Sequence, residues 1–92
     1  MPAGKKFDSG KLMFDLIPPE ATRGLGEVLT YGAQKYGANN WRGVEAARYE
    51  AALQRHLLAW KEGEQLDAES GISHLKHVLC NAAFLVALEG GE

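Results

Sequence analysis

From Ser70 onward the chain carries a helical pattern that is apolar over most of its circumference and is crossed by one polar line. At about 100° per residue, His74, His77 and Asn81 fall in a narrow sector, and Phe84, Leu85 and Leu88 continue that sector toward the C-terminus. Ile72, Leu75, Leu79, Ala82 and Val86 take one flank. Lys76, Cys80, Ala83 and Ala87 take the remainder, which is small and barely polar. The polar line therefore faces inward, and each group would cost roughly 1–3 kcal/mol if buried without a partner. A helix clothed this way must be enclosed on nearly every side, and a 92-residue chain with three helices cannot enclose it alone. The expected architecture is all-α: a three-helix unit with an extended N-terminal arm, completing a helical bundle by homo-oligomerisation, most simply as a two-fold dimer.

The rest of the chain fits a single helical domain over residues 11–89, between flexible ends at 1–10 and 90–92. Residues 11–17, KLMFDLI, alternate weakly and stop at Pro18-Pro19, which favours an extended arm. Pro19 suits a first helical turn and Glu20 the positive end of the helix dipole, so a first helix is expected over 19–36. Gly24, Gly26 and Gly32 weaken it by roughly 1 kcal/mol apiece relative to alanine, which points to close approach of another backbone or a ligand. Gly37 to Asn40 reads as a turn. A second helix is expected over 44–62, with Tyr49, Leu53, His56, Leu57 and Trp60 as its core stripe. Gly63 ends it, and Ser70 is the expected N-cap of a third helix over 70–89.

Composition removes several classes of function. A net charge of −2 with interspersed signs lacks the basic face of a nucleic-acid scaffold, so no stable nucleic-acid partner is expected. No apolar run reaches the length of a membrane span. A single cysteine, Cys80, gives no disulfide framework and points to a reducing, cytoplasmic setting. Cys80 sits mid-helix with Lys76 as its only nearby cation, a poor setting for a nucleophile. No Gly-rich phosphate loop, Ser-His-Asp order or CxxC pair is present.

The ionisable chemistry is concentrated in residues 55–81, which hold all three histidines, Arg55 and the carboxylates Glu62, Glu64, Asp67 and Glu69. Carboxylates facing imidazoles can hold a divalent cation, orient a histidine or form ion pairs. Glu64 and Asp67 have an ExxD spacing whose oxygens suit Mg2+ or Mn2+ bound with substrate phosphates; the same residues also read as a solvated acidic turn. His56, alone in its stripe, reads as a satisfied core histidine; with His74 and His77 opposite it becomes a candidate ligand or orienting group. Arg48 and Arg55 share a ridge separated only by alanines, where guanidinium forks could take phosphate or bridge to Glu20 or Glu27. Lys35, Asn40 and Trp41 lie where the first helix ends. There an aromatic beside amides could stack on a nucleobase, or Trp41 could plug a thin core.

Taken together, DLIPPEA (15–21), TYGAQKYGANNW (30–41), RY-x2-AL-x-RHLLAW (48–60), GE-x2-D-x2-SG (63–71) and HL-x-H-x3-N-x2-FL (74–85) resemble the phage dATP/dGTP diphosphohydrolase N-terminal family, placed near the MazG-like all-α nucleotide pyrophosphatases. The resemblance covers about residues 11–89. It implies an oligomeric protein that hydrolyses a purine deoxynucleoside triphosphate to monophosphate and pyrophosphate, with Mg2+ or Mn2+ as cofactor, altering the nucleotide pool. It implies that Glu64, Asp67, His74 and His77 serve as catalytic and metal residues, with His56 in support. Arg48, Arg55 and Lys35 would then take phosphates, and Asn40, Trp41 and Asn81 base or sugar. Where MazG-like enzymes carry helical ExxE and ExxD sets, this chain has histidines. The competing expectation is a non-catalytic protein that sequesters a nucleotide or nucleotide-derived immune signal, and a third is a structural oligomer whose polar cluster fixes register.

Overall fold

A computed structural model describes residues 10–90, so the ends expected to be flexible lie, apart from residues 10 and 90, outside the described residues. Three helices make up the fold: α1 (Pro19–Tyr36), α2 (Ala46–Lys61) and α3 (His74–Gly90). No strand occurs among the described residues; one isolated antiparallel bridge joins Leu66 to Ser73. The all-helical expectation holds. No helix is long and apolar enough to cross a membrane.

The helix ends follow from local chemistry. α1 begins at the Pro18-Pro19 pair and stops at Gly37, whose φ of 97° a side chain would resist. The arm before it is not extended throughout, because residues 14–16 form a 3-10 turn. With no neighbouring strand to pair with, Leu16 and Ile17 donate their N–H groups to Met13 and Phe14. Between α1 and α2 lies a second 3-10 turn, Asn40–Gly43, entered through Asn39 in the left-handed region. Two bonds close α2: the N–H of Glu64 reaches the carbonyl of Ala59, and that of Gly63 reaches Trp60. With Gly63 at φ 100°, this is a Schellman turn, and it fixes the direction in which Glu64 leaves the helix.

The third helix starts four residues later than expected. Ser70 does not cap it, because the Ser70 N–H and hydroxyl both donate to the Asp67 carboxylate and hold an internal turn of the loop. The cap is Ser73, whose hydroxyl accepts the N–H of Leu75.

Helix α3 is central and packs against both α2 and α1. Its buried side chains are His74, His77, Cys80 and Asn81, so the inward polar line is where periodicity placed it. Apolar burial is sparse by comparison: among the described residues Cys80 is the one fully buried apolar side chain. Trp60, expected in the core stripe of α2, is 45% exposed: α3 begins at His74 against His56, one turn before Trp60. Leu12, Phe14, Leu16, Leu58 and Val86 are also exposed.

Gly24, the one buried residue of α1, is where α3 comes closest. A Cβ there would lie 2.8 Å from Cγ of Lys76, whose stem crosses the glycine on its way to a 2.6 Å ion pair with Glu27. Gly24→Ala should therefore lower stability in the native background by displacing Lys76. In a Lys76→Ala background the same change should raise stability by about 1 kcal/mol, the ordinary helix gain of alanine over glycine. Denaturant titration of the four proteins reads the sign reversal.

Candidate functional site

Two features meet on the inner side of α3: a histidine–carboxylate cluster at its N-terminal end and a cleft along its middle. The cluster is two short chains of hydrogen bonds. In the first, Nε2 of His74 lies 2.9 Å from Glu64 and its Nδ1 lies 2.8 Å from Nδ1 of His56. A carboxylate accepts only, so His74 donates from Nε2; its Nδ1 is then the acceptor, and His56 donates from Nδ1. In the second, the Ser70 hydroxyl donates to Asp67 at 2.8 Å and accepts from Nε2 of His77 at 2.7 Å. The rings of His56 and His77 stack at 4.4 Å and 7°, joining the two chains.

The cleft is a cavity of about 550 Å³ between α1 and α2, floored by α3, a size typical of small-molecule sites. Arg48 and Arg55 stand on its α2 wall, His56, His77 and Asn81 line its base, and Asn40 and Trp41 close one end. No acidic residue lines it. Among the described residues neither Arg48 nor Arg55 is paired with a carboxylate. Asn81 donates its amide to the His77 carbonyl at 2.8 Å, which leaves its Oδ1 as an acceptor.

Burial governs the electrostatics of the cluster. It pushes His56 below the ordinary imidazole value, with the neighbouring His77 adding to the effect. It also lowers His77, against the opposing pull of Asp67. For Asp67, burial disfavours the charge, but the Ser70 N–H and hydroxyl outweigh it and hold the carboxyl below its usual range. Burial raises the Cys80 thiol to about 11, which leaves it protonated and inert at neutral pH.

The structure distributes the sequence-derived candidates unevenly. Arg48, Arg55, Asn40, Trp41, Asn81 and His56 come together around one cavity, and His77 joins them. Lys35 does not: it pairs with Glu69 of the α2–α3 loop, which also accepts from Tyr31. Trp41 stacks on Phe84 at 4.5 Å and carries the Arg42 guanidinium at 4.4 Å. Two groups that close cannot share one face of a ring, so Trp41 offers the cleft an edge. Of the four residues expected around a metal, Asp67 and His74 do share a group whose donor atoms lie within 4.8 Å of one another, and its third member is His56. Glu64 stands behind His74, and His77 is turned to Ser70. Sequence reasoning missed Ser70 as the link between Asp67 and His77; the D-x-x-S spacing, which favours a side-chain-capped turn, was the available signal.

A family model described as dATP/dGTP diphosphohydrolase, N-terminal, matches residues 1–91. A protein of Salmonella phage PMBT28 named dATP/dGTP diphosphohydrolase is 38% identical over 82 residues, which cover 89% of this chain and 28% of that relative. The chain thus spans little more than a quarter of that relative's length. No solved structure matches the chain.

The lowered histidines set an acid limit on the fold. Because His56 and His77 take up a proton less readily when folded than at their ordinary 6.5, the unfolded chain binds more protons as pH falls below that value. Their contribution to stability is complete above pH 6.5 and is lost as pH drops through the folded values. The urea midpoint should be flat from neutral to mildly alkaline pH and should fall between 6.5 and 5, ahead of carboxylate protonation. A midpoint that holds down to pH 5 would contradict the buried-histidine account.

Proposed function

The chain belongs to the dATP/dGTP diphosphohydrolase N-terminal family, and from that membership we propose that it binds dATP or dGTP in the α1–α2 cleft and hydrolyses it to the monophosphate and pyrophosphate. The observation that carries this reading is the cleft wall itself: two unpaired guanidinium groups in a cavity free of acidic side chains. Planar guanidinium forks match phosphate oxygens, and the absence of a carboxylate spares a polyphosphate like-charge repulsion. Arg48 and Arg55 take the β and γ phosphates and stabilise the charge that grows on the pyrophosphate as it leaves. Asn81 Oδ1 accepts from a purine exocyclic amine, with Asn40 and the Trp41 edge beside it. The reaction adds water at the α phosphorus and breaks the bond to the α–β bridging oxygen, which departs with pyrophosphate. A divalent cation held by His56, His74 and Asp67 in the adjacent cluster would supply a water acidic enough to attack at neutral pH, and of the two ions expected from the sequence Mn2+ suits these donors. The setting is the cytoplasm of an infected cell, where such hydrolysis alters the deoxynucleotide pool.

One observation favours a second reading. Glu64, Asp67 and Glu69 are all engaged by donors of the chain itself, so the cleft could hold a nucleotide or nucleotide-derived immune signal without cleaving it. The two readings separate in one experiment, incubation with each deoxynucleoside triphosphate and Mg2+ or Mn2+. Pyrophosphate release from dATP or dGTP is expected, with kcat/KM lowered by about 100-fold or more in Arg48→Ala/Arg55→Ala. Failure to turn over any triphosphate defeats hydrolysis; tight chelator-insensitive binding of unchanged nucleotide then establishes sequestration.

The exposed apolar residues support reading the chain as a subunit of a homo-oligomer. Leu12, Phe14, Leu16, Leu58, Trp60 and Val86 would each contribute up to about 1.5–3 kcal/mol if fully covered by a second copy. Sedimentation at micromolar concentration should give a dimer or larger species, and a stable monomer would refute the assignment.

A further inference from the structure

The geometry points to a transition-metal site between α2 and the start of α3, with Nδ1 of His56, Nδ1 of His74 and a carboxylate oxygen of Asp67 as donors. Such a site is built for Mn2+, Co2+ or Zn2+ and not for Mg2+. The inference rests on the hydrolase reading only for what the ion does there; that the ion is held rests on the donors alone.

Four observations converge on these atoms. His56, His74 and Asp67 each offer a donor atom such that all three lie within 4.8 Å of one another, in a group that is buried or half-buried. Two of them are imidazole nitrogens facing each other at 2.8 Å, an approach that two lone pairs cannot make unless a proton or a cation lies between them. Glu64 accepts from Nε2 of His74 at 2.9 Å, which fixes the tautomer so that the Nδ1 lone pair faces His56. A carboxylate behind a histidine is the support that metal-ligating histidines ordinarily have. Finally, Asp67 is already ionised and oriented by two hydrogen bonds from Ser70. The loop that carries it is pinned by the Gly63 turn and by the Leu66–Ser73 bridge.

The donor set then selects the ion. Mg2+ prefers octahedral oxygen and gives up its waters reluctantly, whereas two imidazoles and one carboxylate suit Mn2+, Co2+ or Zn2+. Bonds of about 2.1 Å in a tetrahedral arrangement separate donors by about 3.4 Å. The two Nδ1 atoms must part by about 0.6 Å from their 2.8 Å contact, and Asp67 must swing inward. To hold the ion, His56 would carry its proton on Nε2, which would free its Nδ1 as a donor. Three protein donors leave at least one position open, and His56 belongs to the wall of the cleft. Of the three donor residues His56 is the one that also lines the cleft, so an ion held here would lie next to it.

The test is metal binding without nucleotide. The full chain is stripped with chelator and titrated with Co2+, following visible absorption, then challenged with Zn2+ and with a large excess of Mg2+. Expected are one Co2+ per chain, displacement by Zn2+ and none by Mg2+. Glu64→Gln should weaken binding by about 10–100-fold. His74→Ala and Asp67→Ala should lose it, while Glu69→Gln, outside the donor group and paired with Lys35, should bind as the native chain does. Should His74→Ala fail to fold, Glu64→Gln carries the test, since its side chain is 55% exposed. The site is overturned if the stripped, helical native chain takes up neither Co2+ nor Zn2+. It is equally overturned if Mg2+ displaces Co2+, or if Glu64→Gln binds as tightly as the native chain. Co2+ uptake without pyrophosphate release defeats the hydrolase reading and leaves the site standing; pyrophosphate release by ion-free protein does the reverse.

Discussion

The fold depends on keeping a polar column buried on α3 and satisfied by the chain's own groups. His74 is held between Glu64 and His56, His77 rests on Ser70, and Asn81 bonds back to the helix at the His77 carbonyl. No buried side-chain nitrogen or oxygen among the described residues lacks a partner. Since an orphaned group would cost roughly 1–3 kcal/mol, and whole domains are stable by only about 5–15, the loop between α2 and α3 has little freedom to rearrange. Its Schellman turn, its Asp67–Ser70 turn and its bridge to Ser73 are the means by which a long connection delivers two carboxylates and a hydroxyl to three imidazoles.

That arrangement divides the molecule by charge. Carboxylates gather at one end of α3, where imidazoles and hydroxyls neutralise or orient them, and the cleft alongside keeps its guanidinium groups without acidic neighbours. An anionic ligand in the cleft and a cation in the cluster would attract each other across the stacked rings of His56 and His77. The two imidazoles thus form the partition between the halves of the site.

Much of this was legible in the sequence, and the parts that were not have physical causes. The bounds of α1 were readable because proline and glycine act through backbone sterics that no tertiary contact can override. The inward line of α3 was readable because helical periodicity fixes which residues share a face. The start of α3 was not, since Ser70 and Ser73 are equally good caps in isolation and only the bond from Ser70 to Asp67 decides between them. Trp60 was assigned to the core on its spacing, yet α3 begins opposite His56, one turn short of it, and leaves it exposed. His56 was the subtler case: it was expected opposite His74 and His77, but that its Nδ1 would meet that of His74 depends on the register of α2 against α3, which spacing does not fix. Lys35 was grouped with the phosphate residues on the family resemblance, and the structure pairs it with Glu69 instead.

The side-chain hydrogen bonds that tie α1 to the rest of the molecule all end on a charge: Tyr31 and Lys35 on Glu69, and Lys76 on Glu27. The bonds that tie α2 and the loop to α3 are those of the half-buried imidazole network. Dissolved ions weaken the first kind far more than the second. One wall of the cleft is therefore fastened by contacts more sensitive to ionic strength than those that fasten the other.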